Sequence, residues 1–306
     1  MTRYLIRRLL EAIPTLIGVA ILMFLFVRAL PGDPARLYAG LDASPIEVEA
    51  ARERFGLDRS LPEQFGRYVA GLARGDLGRS FRSDRPVSDL LARHFPPTLV
   101  LSLIAIVAAL AIGIALGVAA AVRRGSLADL SITIGSILGV STPSFFLGIL
   151  LIYVFAVGWR ILPVAGSLSV AGLILPSVTL AAGAIGTIAR FVRSSMLEVM
   201  SEDYVRTARA KGIRPTTVLR KHALKNALIP VVTIGALQFG FLLSGAVIVE
   251  TVFNFPGLGW LLIQSIEARD YPVIQALMLV FAVQFVAVNV IADLLYGVVD
   301  PRVSYA

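Results

Sequence analysis

The sequence predicts an all-α polytopic membrane protein with six transmembrane helices, and both its composition and its hydropathy pattern indicate this class. Of the 306 residues, 57% are hydrophobic and 16% are charged, whereas charged residues make up about 25% of an ordinary soluble domain. Long apolar runs of about 20 residues or more recur along the chain, and a helix of that length crosses a hydrocarbon core about 30 Å thick. A cytosolic globular protein is therefore excluded.

The predicted helices have few or no charged residues. They cover residues 9–30, 98–122, 131–157, 171–189, 227–249 and 273–296. Glycines and serines interrupt the start of the fourth, which we place within several residues of Ala171. The first run could instead be a cleaved signal peptide, but it is too long and no small-residue cleavage site precedes Arg28. We therefore predict a retained first helix.

The basic residues predict that both termini lie in the cytoplasm. Lys and Arg in short connections mark the inner side of a membrane. The N-terminal tip carries three, the turn 123–130 carries two and the segment 190–226 carries nine, whereas the short loops on the opposite side carry Arg160 and Arg269. The net charge of +8 thus reflects membrane orientation and does not indicate nucleic-acid binding.

The outer segment, residues 31–97, predicts a small helical insertion. Ser44 with Glu47 and Ser60 with Glu63 both match the capping box that begins a helix. After the second box, apolar residues recur at helical spacing and form one stripe: Leu61, Phe65, Tyr68 and Leu72. The segment is too long for the charge rule, so it can be exported. The residues alone leave open whether it packs as a lid or contacts a ligand.

The inner segment, residues 190–226, predicts two short helices that meet at a glycine corner. Ser201 can cap a helix over about 202–211, Gly212 can end it, and Pro215 can begin the next, which runs toward Ile229. The nine basic and three acidic residues leave a net charge of +6. This charge is typical of contact with lipid headgroups.

A second interpretation of the inner segment is protein docking. Tyr204, Ala208 and Gly212 are spaced by four residues and predict a small-residue face that could enter a groove of another protein. The residues alone favour neither interpretation.

The sequence contains none of the motifs that indicate catalysis. Walker A, HExxH and GxSxG elements are absent, and with no Cys and two His the chain offers no thiolate or His-based metal site. We therefore expect a passive pore, an ion-coupled carrier or one subunit of a powered machine, and not an enzyme. Ion coupling needs ionisable groups at mid-membrane, but Glu11, Arg28 and Asp293 lie near helix ends.

Uncharged polar side chains within the predicted helices are candidates to line a path across the membrane. The candidates are Ser141, Gln238, Ser244, Gln284 and Asn289. Such groups also hydrogen-bond neighbouring helices, at about 0.6 kcal/mol each, so both roles stay open. Gly113 with Gly117, and Gly135 with Gly139, have the small-xxx-small spacing of close helix contacts.

Two runs of the inner segment carry a family resemblance. Asp203–Gly212 (DYVRTARAKG) and His222–Pro230 (HALKNALIP) closely resemble the permease subunits of ATP-binding-cassette (ABC) importers for dipeptides, oligopeptides, nickel and glutathione. Further similar runs are Leu30–Pro34, Gly75–Gly78 with Ser80, Arg85–Val87, Glu250 with Val252–Phe253, Pro256–Gly257 with Gly259, and Arg269–Pro272. The likeness is greater to the first permease of the pair, which has a large outer insertion. Where the superfamily has Glu-Ala-Ala this chain has Arg206-Thr207-Ala208, so no role for that glutamate carries over.

The resemblance implies a MetI-like permease bundle in the bacterial inner membrane. Its domains would be 1–30 (first helix), 31–97 (periplasmic insertion) and 98–306 (five-helix core with the coupling loop 190–226). The helix before Gly212 would be a coupling helix seated in a cleft of an ATP-hydrolysing subunit. The matching residues are Asp203, Tyr204, Arg206, Thr207, Ala208, Arg209, Lys211 and Gly212.

The resemblance also implies the partners and the substrate class. The partners would be a second homologous permease, two ATPase subunits that bind ATP and Mg²⁺, and an extracytoplasmic binding protein, with no cofactor in this chain. The stretch Leu30–Leu37 looks similar to glutathione permeases, and dipeptide permeases are nearly as similar. A nickel-chelate permease, an ion-coupled secondary transporter and a structural scaffold remain alternatives.

Overall fold

The computed structural model describes residues 2–29, 32–40 and 42–299, and within these ranges the chain is mostly helical. In chain order the helices are α1 (Thr2–Ala29), α2 (Pro34–Ala39), α3 (Pro45–Arg54), α4 (Leu61–Ala73), α5 (Val87–Val122), α6 (Leu127–Ser141), α7 (Ser144–Leu151), α8 (Val170–Ser201), α9 (Asp203–Ala210), α10 (Pro215–Thr217), α11 (Lys225–Ala227), α12 (Ile229–Val252), α13 (Leu258–Glu267) and α14 (Tyr271–Val299). Two π-helical stretches, Ile152–Gly158 and Val218–Leu224, follow α7 and α10. The predicted all-α fold class is confirmed.

In the part of the chain that the structure describes, five helices are long and apolar enough to cross a membrane. They are Leu10–Ala29 within α1, then α5, α8 and α12, and Tyr271–Leu294 within α14. Helix α8 begins at Val170, which confirms the start expected near Ala171. The third predicted span, 131–157, is wrong as a single helix. In its place α6 and α7, the latter with its π-helical extension, meet at a bend of 104° and make a sixth span only when counted together.

The bend has a local cause at Pro143. Because a proline disfavours helical geometry in the residue before it, Thr142 is extended (φ −78°, ψ 121°) and ends α6. The amide and the hydroxyl of Thr142 both donate to the carbonyl oxygen of Leu138, at 2.9 and 2.7 Å. Helix α7 begins at Ser144, directly after the proline.

The described chain divides into two compact units. The core unit comprises Leu99–Phe255 and the part of α14 from Phe285 onward, and the insertion unit comprises Thr2–Thr98 and Pro256–Gln284. The ends of the chain, Met1 and residues 300–306, lie outside the described residues, as do Leu30 and Pro31 of the first similar run.

In the core unit, glycines allow α5 to approach α8 closely. A Cβ atom at Gly117 would lie 2.6 Å from the carbonyl oxygen of Ala189, and one at Gly113 would lie 2.8 Å from the side chain of Ile188. The close contact expected of this pair is confirmed. For the other pair, a Cβ at Gly139 would lie 3.1 Å from a backbone oxygen of α8, but one at Gly135 would have nothing within 4 Å.

In the insertion unit, one of the two predicted capping boxes forms. The Ser44 amide donates to Glu47 Oε2 at 2.7 Å, and the Glu47 amide donates to Ser44 Oγ at 3.4 Å, so this box is confirmed. The box at Ser60 is wrong, because the Ser60 side chain accepts no bond from the helix. Glu63 instead forms ion pairs with Arg59 and Arg67.

The predicted apolar stripe of α4 packs on the first helix. The Phe24 ring lies 5.0 Å from that of Phe65 and 5.8 Å from that of Tyr68, between ring centroids. Phe24 is buried, but Leu61, the first member of the stripe, is 54% exposed. The stripe is therefore confirmed in its central members.

Three of the similar runs meet in the insertion unit. Gly32 has φ +114°, and a Cβ there would lie 0.9 Å from a guanidinium nitrogen of Arg269. The carboxylate of the next residue, Asp270, accepts the Ser80 hydroxyl and, at 2.9 Å, the Phe81 amide. These contacts fix the loop after α4 to the start of α14 and explain why a glycine is required at position 32.

Candidate functional site

The inner segment begins as a continuation of α8. This helix runs to Ser201, whose hydroxyl donates to the carbonyl oxygen of Glu198 at 2.7 Å. The predicted capping role of Ser201 is therefore wrong, and Glu202 occupies the N-cap position of α9 in an extended conformation (φ −67°, ψ 147°). Gly212 follows α9 with φ +72° and confirms the predicted glycine corner, because a left-handed residue there reverses the chain.

One face of α9 is buried within the inner segment itself. Val205 is fully buried and Ala208 is 6% exposed, and both pack against Val218 of the following π-helix, beside Ile213. The predicted small-residue docking face is therefore wrong at Ala208. An amphipathic helix buries its apolar side, and in α9 the π-helix after the corner packs against that side.

The opposite face of α9 is polar and exposed. The exposed residues are Asp203, Tyr204, Arg206, Thr207, Arg209, Ala210, Lys211 and Gly212. Arg206 and Asp203 form an exposed ion pair at 3.6 Å, and the Tyr204 hydroxyl accepts a hydrogen bond from Asn226 at 2.8 Å. This face presents three cationic side chains and one carboxylate. The bond from Asn226 joins it to the segment that leads into α12.

The polar residues expected to line a path are only partly brought together. Gln238 of α12 lies in a cleft of about 300 Å³ in the core unit. Ser141 is exposed and does not line that cleft. Ser244 lies outside it too, and its hydroxyl donates to the Gly240 carbonyl oxygen at 3.3 Å.

The two remaining candidates lie on α14. The Asn289 amide donates to the carbonyl oxygen of Phe285 at 2.9 Å, within its own helix. Gln284 belongs to the insertion unit, and its buried Oε1 atom has no hydrogen-bond partner in the described part of the chain. Neither residue lines the cleft around Gln238.

The cleft around Gln238 opens where Pro143 breaks the third span. Thr142 and Ser144, which flank the proline, line it together with Thr179 and Thr187 of α8. The sequence-based candidates missed these two α8 threonines, although their spacing of eight residues indicates a shared helix face.

The hydrogen bonds of these threonines determine the chemistry of the cleft. The hydroxyls of Thr142, Thr179 and Thr187 donate to the carbonyl oxygens of Leu138, Leu175 and Gly183, at 2.7, 2.8 and 3.1 Å. Each hydroxyl oxygen keeps lone pairs that can accept a hydrogen bond, whereas the Gln238 amide can both donate and accept. A peptide-like molecule has both kinds of group.

Among the described residues no cluster of three or more His, Cys, Asp or Glu could hold a metal ion.

Comparison with known proteins places these features in a family. The model for the binding-protein-dependent transport system inner membrane component matches residues 113–305, and the model for the N-terminal membrane component of such systems matches residues 1–102. The chain is 51% identical over 308 residues to a glutathione transport system permease protein, GsiC, of Escherichia coli, and 49% identical over 306 residues to that of Salmonella paratyphi A. Both alignments cover 100% of each chain.

Two solved structures show the same fold. The inward-facing MetNI methionine ABC transporter aligns with a TM-score of 0.59 and 24% identity, over 69% of this chain and 96% of its own. An amino acid ABC transporter with histidines aligns with a TM-score of 0.53 and 18% identity, over 68% and 94%. The chain therefore belongs to the inner membrane components of binding-protein-dependent transport systems, the permease subunits of ABC importers.

Proposed function

We propose that this chain is the transmembrane permease of an ABC importer that carries glutathione or a similar small peptide across the inner membrane. The observation that carries the proposal is the 51% identity, over the full length of both chains, to a permease named for glutathione transport. The hydroxyl-lined cleft with Gln238 supports it, because a peptide needs both donors and acceptors along its route. A nickel-chelate cargo has less support.

The segment Asp203–Gly212 couples this permease to an ATPase subunit. Its exposed cationic face is free to contact a partner, and its buried face ties it to α8 and to the π-helix that leads into α12. Two ATPase subunits bind ATP and Mg²⁺ and carry out the hydrolysis, to which this chain contributes no catalytic group. Closure of the ATPases moves α9 as a lever and shifts the bundle between inward and outward openings. Such a switch requires that ATP and the loaded binding protein favour different states.

The other partners and the remaining segments of the chain have roles in the same importer. A second homologous permease completes the bundle, and an extracytoplasmic binding protein delivers the cargo. Residues 31–97 form the periplasmic insertion that receives or retains cargo at the outer mouth. Both termini are cytoplasmic, as the excess of Lys and Arg in the inner segments indicates.

Reconstitution tests the proposal. The chain is assembled in liposomes with its second permease, its ATPases and a binding protein loaded with glutathione. We expect uptake that requires ATP, and ATP hydrolysis that the loaded binding protein stimulates. Uptake by this chain alone under an ion gradient would instead indicate a secondary transporter, and the absence of any uptake with all partners present would indicate a scaffold. The small molecule that copurifies with the binding protein identifies the cargo.

A further inference from the structure

A second cleft continues the first one along α8. It has a volume of about 490 Å³ and is lined by Thr187, Arg190, Ser194 and Glu198, among others. Thr187 also lines the cleft around Gln238, so the two clefts follow one another along the same helix. Together they make one groove in the core unit, largely apolar, with these polar side chains on its α8 side.

The groove runs from the middle of the predicted fourth span, residues 171–189, into the inner segment that begins at residue 190. Thr179 and Glu198, its outermost α8 residues, are nineteen residues apart, which corresponds to about 28 Å of helix. Thr187, Ser194 and Glu198 are separated by seven and four residues and therefore share one face of α8. We call this face the polar face of α8.

The other side of α8 forms the core of the bundle. Ile188, Val192 and Met196 are fully buried there, against residues of α5 and α12. The polar face therefore lies on the side of α8 away from these core residues.

Among the described residues, the charged side chains of the polar face have no partner. Arg190 and Glu198 are exposed, and neither forms a hydrogen bond or ion pair through its side chain with any described residue. Arg193, three residues further on, is by contrast paired with Asp129. Arg190 and Glu198 both lie in the inner segment, so this end of the polar face borders water or another polar molecule. A guanidinium binds carboxylates through two parallel hydrogen bonds.

Building on the proposed function, we propose that the cargo moves along the polar face of α8 and that Arg190 selects it by binding a free carboxylate. The hydroxyls of Thr187 and Ser194 flank that site and offer neutral hydrogen bonds. Glu198, further toward the inner end, offers an anionic partner for the ammonium group of the same peptide. Arg190 thereby binds an anionic cargo before it reaches the inner end of α8, which favours peptides with a free carboxylate over neutral solutes.

Single cysteines test the path, because the chain has no Cys of its own. In the assembled importer, we expect a water-soluble thiol reagent to label Thr187→Cys and Ser194→Cys, and glutathione-loaded binding protein with ATP to slow that labelling. Two matched controls on α8 are Ile188→Cys, which is buried, and Val178→Cys, which is 49% exposed on the side opposite Thr187. We expect little labelling of either. If assembly with the second permease abolishes the labelling of Thr187→Cys and Ser194→Cys, the polar face is a subunit interface and the inference is overturned.

Substitutions test the role of Arg190. We expect Arg190→Gln to lower glutathione uptake at saturating loaded binding protein about tenfold, the loss typical of a charged hydrogen bond, and Arg190→Lys to retain part of it. The control Arg124→Gln removes an exposed charge away from the groove and should leave uptake unchanged. Wild-type uptake in Arg190→Gln would overturn this assignment. If the wild-type importer moves no peptide at all, the proposed function fails, so the two failures are distinguishable.

Discussion

The guanidinium of Arg193 donates two hydrogen bonds to the carboxylate of Asp129, at 2.6 and 2.8 Å. The same carboxylate accepts the Gly125 amide at 3.0 Å, and the Asp129 side chain is only 8% exposed. The pair joins the turn between α5 and α6 to α8, eight residues before that helix ends and the chain enters α9. It is therefore placed to hold the base of the proposed coupling segment.

The first prediction concerns this ion pair. Replacing either partner alone, in Asp129→Ala or Arg193→Ala, leaves a charge without its partner and loosens the turn from α8. We expect both single variants to weaken the coupling of ATP hydrolysis to uptake, measured as ATP hydrolysed per glutathione imported. The exchanged pair, Asp129→Arg with Arg193→Asp, should recover part of the coupling. Additive losses in the exchanged pair would contradict a direct interaction.

The second prediction concerns the corner at Gly212. A Cβ there would have nothing within 4 Å, so the glycine is needed only for its φ of +72°. A β-branched residue is strained in this conformation by about 1–3 kcal/mol, whereas Asn tolerates it better. We expect Gly212→Val to lower transport and substrate-stimulated ATP hydrolysis without affecting membrane insertion, and Gly212→Asn to be milder. Normal transport by the valine variant would defeat the idea that this corner sets the geometry of α9.

The third prediction compares two glycines of the membrane helices. Gly117→Ala would push a methyl group against the backbone oxygen of Ala189, which cannot rotate away, and the expected loss of stability is about 1–3 kcal/mol. Gly135→Ala meets nothing within 4 Å and gains helix propensity, so it should be neutral or stabilising. Thermal unfolding in detergent measures both. Equal effects of the two substitutions would contradict the close approach of α5 and α8.

The fourth prediction concerns the outer insertion. Deleting Ser44–Leu72 should impair uptake more than assembly with the ATPases, but it also uncovers Phe24, which packs on Phe65 and Tyr68. A gentler variant is Ile46→Asp, because Ile46 is 81% exposed and its replacement leaves that packing intact. Uptake and copurification of the ATPases are measured for both variants. Normal uptake after the deletion would reduce the insertion to a packing element.

Much of the fold could be predicted from the sequence because long apolar runs and helix signals are local. The bend between α6 and α7 was not predicted, although its cause, Pro143, is visible in the sequence. The Ser60 side chain does not cap α4, and Glu63 pairs with Arg59 and Arg67 instead of with the Ser60 backbone. Such competition among charges depends on side-chain positions that a motif does not specify.

The candidate site was harder to predict, because its burial depends on contacts between separate elements. The spacing of Ala208 predicted an exposed docking residue, but in the structure Val218, which follows the corner, packs over it. The polar face of α8 was missed because Arg190, Arg193 and Glu198 end the apolar run, so residues 190–201 were assigned to the inner segment and not to the fourth helix. In the structure α8 continues through them to Ser201, and only this continuity aligns Arg190 with the threonines above it.

Cross-linking tests the coupling of this permease to an ATPase most directly. The cysteine-free chain allows single cysteines at exposed positions of α9, Thr207→Cys and Lys211→Cys, with buried Val205→Cys as the control. We predict that the exposed cysteines cross-link to the ATPase subunit with a yield that changes on ATP binding, and that the buried one does not. An α9 that cross-links to no ATPase in the assembled importer, with ATP hydrolysis unaffected by removal of residues 203–212, would contradict the account.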